Sequence, residues 1–229
     1  MGQEVRDLKK RLIPAEWAFL GGTVLLAFGV ALMAKADLGI GMVVAPAYLV
    51  HLKWPRISFG QGEYILQGIL LVLMCLLMRR FRWSYLFSFV AALLYGVVLD
   101  LFVPLVGLAP STLPFRLVYF LGGLLICSMG IALFFRTYLP PQVYELFVKE
   151  LSGRFRVPMH RFKQGYDLGS LLVALVLSLV FFGEIRALGV GTVIAALVNG
   201  PLIGLMGRFL DRRMEFRGSL GVERQFRDR

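Results

Sequence analysis

Eighteen mostly apolar residues occur twice in this chain, and the second copy limits the possible folds more than any other feature. Gly21–Leu38 reads GGTVLLAFGVALMAKADL, and Gly122–Leu139 reads GGLLICSMGIALFFRTYL. Gly21, Gly22, Gly29, Ala31, Leu32 and Leu38 return 101 positions later as Gly122, Gly123, Gly130, Ala132, Leu133 and Leu139, and Lys35 returns as Arg136. Further on, Gln61-Gly62 returns as Gln164-Gly165, and Ala91-Ala92-Leu93 with Gly96 returns as Ala195-Ala196-Leu197 with Gly200. The order is kept while the offset drifts from 101 to 103 to 104, as a duplication with small insertions requires.

A hydrophobic content of 58% and a mean hydropathy of +0.75 exclude an ordinary soluble domain. Crossing a hydrocarbon core takes about 20 apolar residues as helix. Six runs qualify: Trp17–Ala36, Tyr64–Met78, Tyr85–Val103, Leu117–Phe135, Leu168–Phe182 and Val190–Leu210. The second and fifth are short and should extend into their polar flanks. Three spans per copy is an odd number, so the second copy enters the membrane from the opposite side. The expected fold is all-α: a polytopic membrane protein of six transmembrane helices in a 3+3 inverted-topology repeat. Repeat one covers about residues 16–105 and repeat two about 116–210, followed by a basic tail over 211–229, all in a single membrane domain.

The net charge of +11 follows the same plan. Of the 25 Lys and Arg residues, 20 lie in the segment up to Pro14, the 79–83 turn, the 136–163 segment and the tail from Arg208. Lys35, Lys53, Arg56, Arg116 and Arg186 fall on the other side. That asymmetry is the positive-inside pattern with both termini cytoplasmic, so the basic balance reads as topology and not as nucleic-acid binding. The tail arginines either reach anionic lipid heads or sit in solvent. The basic start and Ala34-Lys35-Ala36 imitate a cleavable leader, but the apolar region is too long and is duplicated mid-chain. Cys75 and Cys127 lie inside apolar runs as free thiols, and His51 and His160 lack ligand spacing, so neither a metal nor a cofactor is expected.

Two segments are too short to span. Pro46–Leu52 follows the glycine-rich break Asp37-Leu38-Gly39-Ile40-Gly41, with a proline suited to a first helical turn. Its equivalent starts at Pro140-Pro141 and runs on as QVYELFVKEL, amphipathic at helical spacing. Small residues at Ala91, Ala92 and Gly96, and at Ala195, Ala196, Gly200 and Gly204, suit close helix approach. Gly200-Pro201 should kink the last span.

Candidate site residues are the few polar groups inside the spans. Tyr95 and Asn199 hold equivalent repeat positions, and a pseudo-twofold axis would bring them together as ligand contacts or as ordinary interhelical hydrogen bonds. Gln67 lies within the second span. Asp100 is expected to pair with Lys35, with Asp37 also within reach. Glu63 and Asp167 open the second span of each half, where acids complement helix dipoles. Arg136 precedes the second half-helix, either as an anion-attracting group or as a positive-inside arginine.

GVALMAKADLGIG, SFVAALLYGVVLDLF and GVGTVIAALVNGPLIGLM, in this order over about residues 16–210, resemble the bacterial YczE/YyaS/YitT-type membrane proteins. Many of those carry a Pro-Trp-Asp-like element after the glycine-rich break. Here Met42-Val43-Val44 and Pro141-Gln142-Val143 stand in its place, so no role of that acid carries over. The resemblance implies a multi-pass protein of the bacterial cytoplasmic (inner) membrane, described for the family as a transporter or permease. The repeat points the same way: a small secondary transporter for a small organic solute or ion, bound between the halves. The alternative is a substrate-binding or accessory membrane subunit docking on a partner complex through its small-residue faces, which would equally suit a homo-oligomer. No nucleophile–base pair or phosphate loop suggests an enzyme. Single cysteines at Thr112 and Ser219 should react with an impermeant maleimide from opposite sides of the membrane; reaction of both from one side would overturn the six-span topology.

Overall fold

A computed structural model of the chain describes residues 11–217; the basic residues before Arg11 and the tail beyond Arg217, Ser219 included, lie outside it. The elements are β1 (Arg11–Pro14), α1 (Ala15–Ala36), α2 (Ala45–Lys53), α3 (Phe59–Met78), α4 (Ser84–Gly107), α5 (Leu113–Phe134), α6 (Val143–Phe155), α7 (Met159–Phe182), α8 (Val190–Arg213) and β2 (Met214–Arg217). Six of these helices, α1, α3, α4, α5, α7 and α8, are long and apolar enough to cross a membrane. The protein is therefore an all-α polytopic membrane protein. As expected, α3 and α7 extend beyond the apolar runs into their polar flanks, and α2 and α6 are the two short helices.

Glycine sets the central contact. The most extensive interface joins α1 to α5. A Cβ on Gly22 would lie 3.0 Å from the Gly130 carbonyl, and one on Gly29 would lie 2.7 Å from the Gly123 carbonyl and 2.6 Å from Cys127 Sγ. The reverse clashes are equally tight, 2.7 Å from Gly123 to Gly29 and 2.8 Å from Gly130 to Gly22. Shifting each number by the repeat offset exchanges these two contacts, so the duplicated glycines meet one another reciprocally across an antiparallel crossing.

The helices α4 and α8 then flank this pair, α4 against α1 and α8 against α5. The short helices are placed crosswise: α2 packs on α3 and α7, and α6 packs on α3, α4 and α7. At one end of α6 the Val143 N–H donates to Gln67 Oε1 (3.1 Å), and at the other Glu150 meets Arg80 and Tyr85 (3.0 Å each). Gln67 lies about 12 Å along α3 from its start, by the rise of an α-helix. The chain after α5 thus turns back part-way along the long helices, and α6 starts there and runs outward. Val143, Leu146, Phe147 and Leu151 are its buried face, packed on Leu71, Met74 and Met78 of α3 and on Tyr85 of α4.

The glycine-rich break also has a specific dock. Asp37 closes α1 in the left-handed conformation (φ 50°), and Gly39 (φ 112°) brings the loop onto the start of α8. There Ile40 N donates to Ala187 O (3.0 Å) and Gly191 N to Leu38 O (2.8 Å), and a Cβ on Gly39 would lie 2.6 Å from Thr192 Oγ1. Only glycine meets both demands, positive φ and backbone contact.

Two expectations need correcting. The charged segment from Asp211 does not leave the bundle at once: α8 continues to Arg213, and β2 then pairs in parallel with β1. Both ends of the described chain accordingly lie at the same end of the bundle. The small residues serve unequally. Ala91, Ala92 and Gly96 are buried, and α3 meets α4 so closely that a Cβ on Gly60 would lie 1.9 Å from the Gly96 carbonyl. Ala196, Gly200 and Gly204 of α8 are exposed, Gly200 has no neighbour within 4 Å, and α7 and α8 make no interface comparable to that of α3 and α4.

Gly29→Ala forces a methyl against the Gly123 backbone and should lower unfolding stability in detergent by about 1–3 kcal/mol. Gly122→Ala, which meets nothing within 4 Å, should be neutral or stabilising by up to about 1 kcal/mol. Thermal or denaturant unfolding of the two variants checks the contrast.

Candidate functional site

The buried stripe of α3 repeats every three to four residues: Phe59, Gly60, Gly62, Glu63, Gln67, Leu71, Met74 and Met78. Its polar members define two distinct structures. The first is the cap of the helix. Ser58 Oγ accepts from Gln61 N (3.0 Å) while Ser58 N donates to Gln61 Oε1 (3.0 Å), a reciprocal capping box. Asp100 of α4 completes it: Oδ2 accepts from Ser58 Oγ (2.5 Å) and Oδ1 from the Gly60 N–H (2.7 Å). Asp100 is thus a cap supplied by a neighbouring helix, satisfying a donor that the first turn cannot satisfy itself.

This corrects the expected Lys35–Asp100 pair. Lys35 Nζ donates to the Gly107 carbonyl at the end of α4 (2.8 Å). Asp37 is taken by Arg116, whose guanidinium binds the Asp37 carboxylate (2.9 Å), the Asp37 carbonyl and the Ala36 carbonyl (2.6 Å). Arg116 thereby covers the end of α1, where carbonyls lack helical partners.

The second structure lies one turn further along α3, where α3, α4 and α6 meet. Glu63 is 0% exposed, and its Oε2 accepts from the Tyr144 hydroxyl (2.9 Å). Gln67, also 0% exposed, accepts from Val143 N and donates through Nε2 to Gln142 Oε1 (3.2 Å). Tyr95 reaches this cluster from α4 within electrostatic range of Glu63. Gly60 faces Gly96 and Gly68 faces Phe89, an antiparallel register that sets Ser88 at the level of Gln67. Four buried polar atoms have no hydrogen-bond partner among the described residues: Glu63 Oε1, Ser88 Oγ, Tyr95 Oη and Gln142 Nε2. Native proteins leave few such groups, because each costs about 1–3 kcal/mol. Here all four fall on the helices around one junction.

The start of α6 points into this junction, adding the positive end of a helix dipole. Burial pushes the Tyr144 hydroxyl above the ordinary phenol range, and Glu63 adds to the shift. Burial also pushes the Glu145 carboxyl up, while Lys163 on α7 pulls it down.

The other two candidates lie elsewhere. Asn199 Oδ1 accepts from Ser128 Oγ (2.9 Å), joining α8 to α5, and α4 and α8 do not pack on one another, so Tyr95 and Asn199 are not brought together. Arg136 is a closing clamp between α5 and α8: its guanidinium binds Asp211 twice (2.6 Å each) and the Ala132 carbonyl (2.8 Å), stacked over Gly207. It does not face the second half-helix as an anion trap.

Of the sequence candidates, then, Gln67 and Tyr95 share the junction, while Asp100, Lys35, Arg136 and Asn199 join helices. Glu63, Gln142 and Tyr144 were not singled out as contacts. The signal for Glu63 was present: a Glu and a Gln four residues apart occupy one helical face next to glycines. Beginning the span at Tyr64 left Glu63 outside it.

Asp100→Ala strands two donors and should cost about 2–3 kcal/mol of stability. Lys35→Met should add to that loss within about 0.5 kcal/mol in a double-mutant cycle, since the two side chains share no partner. Coupling well above that would restore the ion pair.

No curated protein and no solved structure matches the chain. Residues 13–208 match the family model DUF6198, a family of unknown function, and the chain belongs to that family.

Proposed function

We propose that the protein is a small secondary transporter in which the α3–α4–α6 junction binds a small polar solute or ion. The observation that carries this reading is the set of four unpartnered buried polar atoms, Glu63 Oε1, Ser88 Oγ, Tyr95 Oη and Gln142 Nε2. Polar groups that face neither water nor a partner inside an apolar bundle are costly, and a polar ligand would satisfy them. Two features support transport in particular. The junction joins residues of the first half (Glu63, Gln67, Tyr95) to the start of a half-length helix in the second (Gln142, Tyr144), the arrangement by which interrupted helices present substrate sites. The reciprocal Gly22–Gly130 and Gly29–Gly123 contacts fit two halves related by an in-plane pseudo-twofold axis, which favours paired conformations of similar energy. The resemblance to YczE/YyaS/YitT-type proteins points the same way, with the bacterial cytoplasmic membrane as the location and both termini cytoplasmic.

One observation favours the second reading, a substrate-binding or accessory subunit: the exposed Gly200 and Gly204 of α8 leave open a small-residue face that a partner helix could fill. Reconstituting the purified protein alone separates the two, because a transporter takes up solute without a partner.

Tyr95→Phe removes a hydroxyl with no partner among the described residues, so it should leave the fold as stable as wild type or slightly more so. A thermal-shift screen against small polar metabolites should identify ligands that stabilise the wild type, by about 2.7 kcal/mol at a hundredfold excess over Kd. The same ligands should lose most of that effect on Tyr95→Phe. Equal stabilisation of both proteins would remove the junction as the site.

A further inference from the structure

We propose that Glu63 is the proton-binding group of this site, taking a proton on its free oxygen Oε1 from one side of the membrane and releasing it to the other; the coupling role rests on the transporter reading above. The step is a proton transfer only: an O–H bond forms on Oε1 as a hydronium ion loses that bond and becomes water, the carboxylate charge is cancelled, and no electrons are exchanged.

The argument begins with a contrast between the halves. Glu63 is the fifth residue of α3 and Asp167 the ninth of α7, so neither lies in a first turn as the expected dipole partner. Asp167 is compensated, with Oδ1 2.8 Å from Lys163 Nζ one turn earlier. Glu63 is 0% exposed and has no ion pair among the described residues; its carboxylate accepts from the neutral Tyr144 hydroxyl, with the neutral Gln67 amide beside it. The groups acting on it have been placed: Gln67 one turn on in α3, Tyr95 from α4, Tyr144 and Glu145 from α6, and Tyr166 from α7. None carries a positive charge. The face of α2 toward this part of α3 is the Ala47 backbone, against Gly62. Asp100, the other acid of the α3–α4 pair, is committed to Ser58 and Gly60. The nearby cation Lys163 pairs with Asp167 and acts on Glu145.

A bare carboxylate in such surroundings needs its charge cancelled. A metal cation is a poor candidate, because hard cations take six or more oxygen ligands and no group of three or more His, Cys, Asp or Glu gathers among the described residues. A proton cancels the charge with no further ligand and turns Oε1 from an acceptor into a donor. The change acts directly on the Glu63–Tyr144 bond, which ties α3 of the first half to α6 of the second. Proton occupancy and the contact between the halves are therefore linked at one carboxyl group.

Dicyclohexylcarbodiimide, an apolar reagent that adds to protonated carboxyls, tests the site without any solute. On the full chain in lipid nanodiscs, peptide mass spectrometry should find the adduct on Glu63 and not on Asp100 or Asp167. Its yield should fall by about tenfold per pH unit once the group ionises, across a range from about pH 5 to about pH 9. No adduct at any pH, a yield independent of pH, or suppression by sodium at fixed pH would overturn the proton assignment and leave the transporter reading standing. The second measurement uses Glu63→Gln, which keeps an acceptor for Tyr144 and the shape of the protonated acid. Stabilisation by the ligands from the thermal-shift screen should vary with pH in wild type and become pH-independent in Glu63→Gln. An unchanged pH dependence in that variant overturns the proposal. PH-dependent labelling without uptake by the purified protein retains the proton site and sinks the transporter reading instead.

Discussion

The crossing of α1 and α5 supports everything else in this bundle. Lipid tails are as apolar as leucine, so burying apolar area does not by itself bring two helices together in a membrane; close van der Waals contact and interhelical polar bonds do. Gly22, Gly29, Gly123 and Gly130 remove the side chains that would hold the two backbones apart. Buried Cys127 fills the space beside Gly29. Once this pair is set, α4 and α8 flank it on α1 and α5, and α2 and α6 have long helices on either side to lie against.

The polar interactions fall into two kinds, separated by whether they are complete. Asp100 with Ser58 and Gly60, Arg116 with the end of α1, and Arg136 with Asp211 each tie a helix end to a neighbouring segment and consume their donors and acceptors. Such bonds replace the water that helix ends would otherwise require. The junction of Glu63, Gln67, Tyr95 and Gln142 is incomplete: Gln67 is satisfied, and its neighbours are not. Incompleteness where a half-length helix begins inside the bundle is what separates a candidate site from a structural network.

The two halves are built alike but packed differently. In the first, Gly60 and Gly96 bring α3 and α4 into contact; in the second, α7 and α8 make no comparable interface, and Gly200 and Gly204 of α8 face outward. Lys163 stands at the position of Gly60, by the same offset that relates Gln61-Gly62 to Gln164-Gly165. A long charged side chain there cannot reproduce a backbone contact that excludes even a methyl group.

What the sequence by itself determined was one-dimensional. The length and apolarity of six runs, the prolines and glycines that end them, and the short amphipathic segments between them carry the fold class, because hydrocarbon thickness and backbone satisfaction act on each segment alone. Only the tertiary structure decided which polar residues meet, since that depends on the rotation and register of one helix against another. Rotation of α4 against α3 gave Asp100 to Ser58 and left Lys35 to Gly107. The return of the chain between α5 and α6 brought Gln142 and Tyr144 to Gln67 and Glu63, residues some 75 to 81 positions away. No local pattern records a partner at that distance, and an acid at the edge of an apolar run looks the same in sequence whether it faces water, as a dipole partner, or a buried tyrosine.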